Sequence, residues 1–155
     1  MFTLTVEKNM KLILLIATVL IFPLYSSAHK FEAKYAIIDH PWLRIAVEQS
    51  ITAAGYFELT NKLDEPIILI GAKAEFAKII EIHEMKIENG IAKMRHINKG
   101  LTVEKNKTVE LKPMGLHLMF MGINKTLKKG EMMEVELIFE NQPSVMVRFK
   151  VDMMK

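Results

Sequence analysis

From Tyr35 onward, apolar residues recur at alternate positions in short runs rich in β-branched and aromatic side chains, and turn residues separate the runs. A period of two is the signature of half-buried strands. It predicts strands over Tyr35–Ile38, Leu43–Val47, Ala53–Leu59, Ile67–Ala72, Ile79–Ile87, Ile91–Ile97, Thr108–Leu111, Leu116–Met121, Met133–Phe139 and Val145–Val151. The breaks between them are rich in Asn, Gly, Pro and Lys: 61–66, Glu88-Asn89-Gly90, Asn98-Lys99-Gly100, Pro113-Met114-Gly115, Lys128-Lys129-Gly130 and Asn141-Gln142-Pro143. The last strand alternates most cleanly, with Val145, Val147, Phe149 and Val151 inward and Met146, Arg148 and Lys150 outward. No stretch carries an apolar helical stripe three turns long. Many short strands with one apolar face predict an all-β fold, a two-sheet sandwich with Greek-key connections, in a single domain.

The first residues read differently. Lys8 and Lys11 precede an apolar run of 14 residues, Leu12 to Tyr25, followed by the small residues Ser26-Ser27-Ala28. This is the pattern of a secretory signal peptide over residues 1–28, with the domain occupying 29–155. The run falls short of the roughly 20 residues a spanning helix needs and contains Pro23, so no permanent membrane span is expected in the mature form. Met10 is an equally good initiator and yields the same mature chain. The expected compartment is the periplasm, and a monomer is expected.

Charge and composition narrow the chemistry. Lys and Arg number 21 against 18 Asp and Glu, for a formal charge of +3. Removing residues 1–28 takes away two lysines and one glutamate, lowering it to +2. So small and dispersed a charge does not suggest a nucleic-acid surface. The absence of cysteine excludes disulfides, thiol nucleophiles, iron–sulfur clusters, thiolate zinc sites and blue-copper centres. The twelve methionines are the unusual feature, and most are expected to be core filler.

Some of them sit where filler is not needed. In Leu116-His117-Leu118-Met119-Phe120-Met121, alternation sends Leu116, Leu118 and Phe120 to the core and His117, Met119 and Met121 to the other face. An imidazole and a thioether at i and i+2 stand about 7 Å apart at Cα, near enough to converge on one ion. His83, Met85 and Ile87 likewise share a face, opposite Ile82 and Glu84, and across the next turn Met94 and His96 share another. By the same reading Glu81 and Glu84 are expected to point away from His83. The set His83, Met94, His117 and Met119 comprises two imidazoles and two thioethers, soft and neutral, which suits Cu(I) better than Zn(II), Mg(II) or Ca(II). A thioether forms no disulfide, so it can hold a soft cation in an oxidising compartment.

These residues carry a family resemblance. The spacing His83, ten residues, Met94, twenty-two residues, His117-Leu118-Met119 resembles the His/Met signature of PCu(A)C-type periplasmic copper chaperones. Trp42-Leu43-Arg44, the run 53–57 leading to Asn61, Glu81-Ile82-His83, and the run 113–119 match as well, so the resemblance extends from about Ala36 to Val151. It implies a cupredoxin-like sandwich binding Cu(I) through His83, Met94, His117 and Met119. It also implies delivery of copper to the binuclear copper site of cytochrome c oxidase, with the oxidase copper-site subunit and a Sco-type thiol protein as partners. Two departures stand out. The family often has a methionine directly after the first histidine, where this chain has Glu84 and then Met85. Many relatives also carry a His/Met-rich tail adding Cu(II) capacity, whereas this sequence reads Met153-Met154-Lys155.

Other residues have humbler readings. His96 is a surface histidine or an alternative ligand, Met121 rim packing or a reserve thioether, His40 a loop residue before Pro41, and Trp42 a core anchor with Arg44 its surface neighbour. His29, exposed by cleavage after Ala28, could chelate Cu(II) through its amine and ring as an auxiliary site. The preferred function is metal transfer without catalysis. Its alternatives are a copper-dependent oxidase built on His29 and a metal-free sandwich module that recruits partner strands at its sheet edges.

Overall fold

The computed structural model describes residues 30–153, so residues 1–28 and His29 lie outside the described region. Eleven strands run in chain order: β1 (Lys30–Glu32), β2 (Ala36–Ile45), β3 (Thr52–Asn61), β4 (Ile67–Lys73), β5 (Ala77–Glu88), β6 (Ile91–His96), β7 (Leu101–Val103), β8 (Thr108–Leu111), β9 (Leu116–Ile123), β10 (Met132–Glu140) and β11 (Val145–Met153). No helix occurs among the described residues. The fold is all-β and cupredoxin-like, built from one mixed sheet in the order β6-β5-β9-β3-β2-β11-β10-β4-β7 that wraps a single core. The β11–β2 pair is parallel, and the other pairs are antiparallel.

Two expected strands fuse. The expected strands at 35–38 and 43–47 merge into one strand, β2, over 36–45, whose ladder to β3 steps from Asp39 opposite Glu58 to Trp42 opposite Tyr56. Two residues, His40 and Pro41, therefore face one, Phe57, in a β-bulge with His40 at φ 48°. The extra residue moves the inward set from Ala36 and Ile38 to Leu43 and Ile45, which is why the alternation breaks there. Val47 lies beyond the strand and is exposed.

The core holds the inward side chains expected of the last strand, Val147, Phe149 and Val151, together with Phe57, Phe76, Phe120, Leu118 and Ile82. Phe120 stacks on Phe76 with centroids 5.6 Å apart and meets Phe149 edge-on at 6.2 Å. Asn61, buried at the end of β3, donates through Nδ2 to the carbonyls of Glu65 (2.7 Å) and Val103 (3.0 Å) and accepts from the Leu63 N–H at 2.9 Å. It thereby ties the turn into β4 to the end of β7. With Ile82, Leu118 and Phe120 committed inward, the alternate side chains of β5 and β9 must emerge on the outer face of the sheet.

Candidate metal centre

Strand register places three histidines in one row. His83 on β5 is directly opposite His96 on β6 and His117 on β9. The β5–β6 register is set by a two-residue turn, Asn89-Gly90, whose φ values of 53° and 78° fit the left-handed turn geometry that tight hairpins favour. Ring centroids of His83 lie 5.6 Å from His96 and 5.8 Å from His117. Behind the row, Tyr56 stands 6.3 Å from the His117 ring and packs against Trp42 at 4.7 Å. Trp42 is thus no core anchor. It is half-buried on the outer face, because the bulge at His40–Pro41 reverses the side to which later residues of β2 point.

Each of two histidines has one ring nitrogen tied and one free. His117 is 4% exposed, and its Nδ1 lies 3.0 Å from the Gly115 carbonyl. A carbonyl only accepts, so Nδ1 carries the proton and Nε2 keeps its lone pair. Burial pushes the His117 pKa below the ordinary value of 6.5; the Gly115 bond opposes this and the nearby His83 reinforces it, so the ring is held neutral. His83 uses its other nitrogen: Nε2 is 2.8 Å from Glu81 Oε2. With Nε2–H donating to the carboxylate, the neutral ring has its lone pair on Nδ1, an atom that is buried with no hydrogen-bond partner. An orphaned buried polar atom costs about 1–3 kcal/mol, which a bound cation would recover. His96 Nδ1 sits 3.8 Å from the same Glu81 oxygen, beyond hydrogen-bond reach.

Glu81 therefore does not point away from His83, contrary to the expectation from the sequence. The reason is elementary, since residues at i and i+2 of a strand share a face. Glu84, at i+1, does emerge on the opposite side and pairs with Lys86 at 3.0 Å. Glu81 and Tyr56 are the site-face residues that the sequence reading missed; strict alternation from His83 would have found Glu81, whereas Tyr56 joins the site through the register of β3 with β2, a non-local property.

The thioethers flank the row. Met119 is opposite Glu81 and Met121 opposite Ile79 on β9, while Met94 on β6 is opposite Met85 on β5. His83, His117, Met119 and Met94 thus lie on one face, but not around one point. Met119 and Met94 are on opposite sides of His83, four residues apart along the strands and two strands across, roughly 16 Å at Cα in a flat sheet. The structure brings His83 and His117 together, sets Met119 one diagonal step away, and leaves Met94 on the hairpin. That hairpin projects: β9 begins opposite Glu84, the Met85 N–H to Gly115 carbonyl bond (3.1 Å) lies at that end, and all six residues of β6 are exposed. Among the described residues no three His, Asp or Glu side chains are grouped to hold a metal ion. His40 is exposed at the β2 bulge beside Asp39, two strands away from His117.

Known proteins match this chain in both sequence and fold. A family model described as LpqE-like matches residues 37–151. The chain is 28% identical over 104 residues to Lxx21020 of Leifsonia xyli subsp. xyli, which carries the word lipoprotein in its name; the match covers 67% of this chain and 61% of that protein. The chain thus spans about six-tenths of the length of the curated relatives it matches. Among solved structures, the copper-bound PCuAC domain from PmoF2 superposes with a TM-score of 0.70 at 25% identity, covering 81% of this chain and 99% of that one. The Cu(I) form of DR1885 from Deinococcus radiodurans gives 0.61 at 26% identity, covering 82% and 83%.

Proposed function

Because the chain belongs to the LpqE-like family, and its fold matches PCuAC copper-binding domains, we propose that it is an exported copper-transfer protein carrying Cu(I) as cargo between His83, His117, Met119 and Met94. The observation that carries the reading is the pair of adjacent imidazoles, each with one nitrogen anchored and one lone pair free, flanked on the same face by thioethers. Imidazole and thioether together favour a soft monovalent ion over Zn(II) or Ca(II). Met94 reaches the pair when the projecting hairpin curls over the row. The protein performs no reaction on its cargo: nothing in the proposed set activates water, and release proceeds by exchange of ligands with an acceptor. Residues 1–28 direct the chain to the periplasm, where the acceptor is the copper-site subunit of cytochrome c oxidase, served together with a Sco-type thiol protein.

The test is an anaerobic Cu(I) titration of the purified protein against a chromogenic chelator, with His117→Ala, Met119→Ala and Met94→Ala alongside. One equivalent is expected to compete. Each variant should weaken it by at least about tenfold, or 1.4 kcal/mol, with His117→Ala the most severe. No competition by the wild-type protein would overturn the reading and return attention to the sheet edges. Transfer is checked by mixing the loaded protein with the apo copper-site subunit and following the acceptor's absorption.

A further inference from the structure

We infer that Glu81 is a positioning residue for the copper site, selecting which nitrogen of His83 meets the cargo. The inference rests on the copper reading above and adds to it a residue and an atom. Three observations converge. Glu81 Oε2 lies 2.8 Å from His83 Nε2, a distance at which the ring must donate to the carboxylate. The other nitrogen, Nδ1, is buried without a partner although His83 lies between two histidines in the same row. His117 shows the complementary arrangement, its Nδ1 tied to the Gly115 carbonyl and its Nε2 left free.

Metal-binding histidines characteristically give their second N–H to a carboxylate or a backbone carbonyl, which fixes tautomer and ring orientation and strengthens the remaining lone pair. The structure supplies one partner of each kind: a carboxylate for His83, a carbonyl for His117. The assignment follows that His83 ligates through Nδ1 and His117 through Nε2. The same carboxylate also places a negative charge beside an otherwise neutral ligand set, next to Met119, its cross-strand neighbour. Cu(I) bound there forms an electrically balanced site, whereas the metal-free site keeps His83 locked by one hydrogen bond. His96 stands 3.8 Å from the same oxygen, so it borders the lock without closing it.

The experiment uses the purified full chain labelled with ¹⁵N-histidine. In the metal-free wild type, long-range ¹H–¹⁵N correlations should show His83 protonated at Nε2; on adding Cu(I), the His83 Nδ1 and His117 Nε2 signals should shift. Glu81→Ala should mix the His83 tautomers and weaken Cu(I) binding in chelator competition by about 10–100-fold, the usual effect of losing an outer-shell partner. Glu81→Gln, whose amide oxygen still accepts from Nε2–H, should keep the tautomer and recover part of the affinity. Unchanged His117 signals in both variants show that the fold is intact. Copper binding that shifts His83 Nε2, or Glu81→Ala binding as tightly as wild type or more tightly, overturns the positioning role while leaving the copper reading standing. A wild type that binds no Cu(I) sinks the copper reading itself and the positioning role with it.

Discussion

Gly55 offers a direct test of how the strand carrying His117 and Met119 is held. A Cβ added at Gly55 would lie 2.7 Å from Phe120 Cε2, 3.3 Å from Phe149 Cε1 and 3.4 Å from Leu118 Cβ. The first of these is closer than real side chains allow, and Phe120 has no free direction in which to turn, being fully buried between Phe76 and Phe149. Gly55→Ala must therefore displace an aromatic ring in a closed core. Overpacking of this kind costs about 1–3 kcal/mol, and the reduced entropy of the unfolded chain returns about 0.4–1 kcal/mol. The net destabilisation is about 1–2 kcal/mol, which for a domain of this size lowers Tm by roughly 3–10 °C. Gly71→Ala is the control, since nothing lies within 4 Å of its added Cβ, and it should leave Tm unchanged or slightly raised. Thermal melts followed by circular dichroism compare the three proteins. Because Leu118 and Phe120 alternate with His117 and Met119 on β9, Gly55→Ala should also loosen Cu(I) binding although it touches no ligand. Equal melting of Gly55→Ala and wild type would refute the packing described.

Two further outcomes are expected. Asn61→Ala removes donors to the Glu65 and Val103 carbonyls and should cost about 2–3 kcal/mol, seen as a lower urea midpoint at unchanged slope; an unchanged midpoint would mean that water replaces the amide without loss. The depressed pKa of His117 makes stability depend on pH. Above the ordinary value of 6.5 both folded and unfolded forms are neutral; below it the unfolded chain takes up a proton that the folded chain refuses, so stability falls with falling pH until the folded pKa is reached. The slope from this one group is at most about 1.4 kcal/mol per pH unit. His117→Phe should flatten the dependence between pH 7 and 5.5 in urea titrations, and an identical slope in the two proteins would show that His117 is not the group responsible.

Much of the fold is legible in the alternation of apolar residues, because a sheet with one dry face imposes a period of two wherever strands are long enough to display it. Thr108–Leu111 and the inward set of β11 are read directly. The strands that escape notice are β1 and β7, each three residues long. A segment of three cannot display a repeat of two, and both depend on ladder bonds to β2 and β4 that no local signal announces. The bulge in β2 breaks the phase and so splits one strand into two. At the site, local sequence correctly places His83, Met85, His117, Met119 and Met121 on outward faces. Cross-strand register is a non-local property, so the histidine row, the Tyr56–Trp42 wall and the distance between Met94 and Met119 become visible only in three dimensions.

That separation bears on how a copper carrier releases its load. The two imidazoles sit on neighbouring strands bonded into the body of the sheet, and their orientations are fixed by Gly115 and Glu81. Met94 stands on a two-stranded ribbon that extends past the end of β9 and is exposed along β6. A ribbon of two strands has little stability of its own, so its position responds to small forces. In the proposed transfer, closure of the ribbon completes the coordination of Cu(I), and its withdrawal removes one soft ligand without disturbing the anchored pair. The position vacated faces solvent, where an acceptor's thiolate or imidazole can enter. In that proposal all four ligands contribute to affinity, the anchored histidines hold the ion throughout, and the thioether on the ribbon governs exchange. Stiffening the ribbon would then slow release more than it strengthens capture.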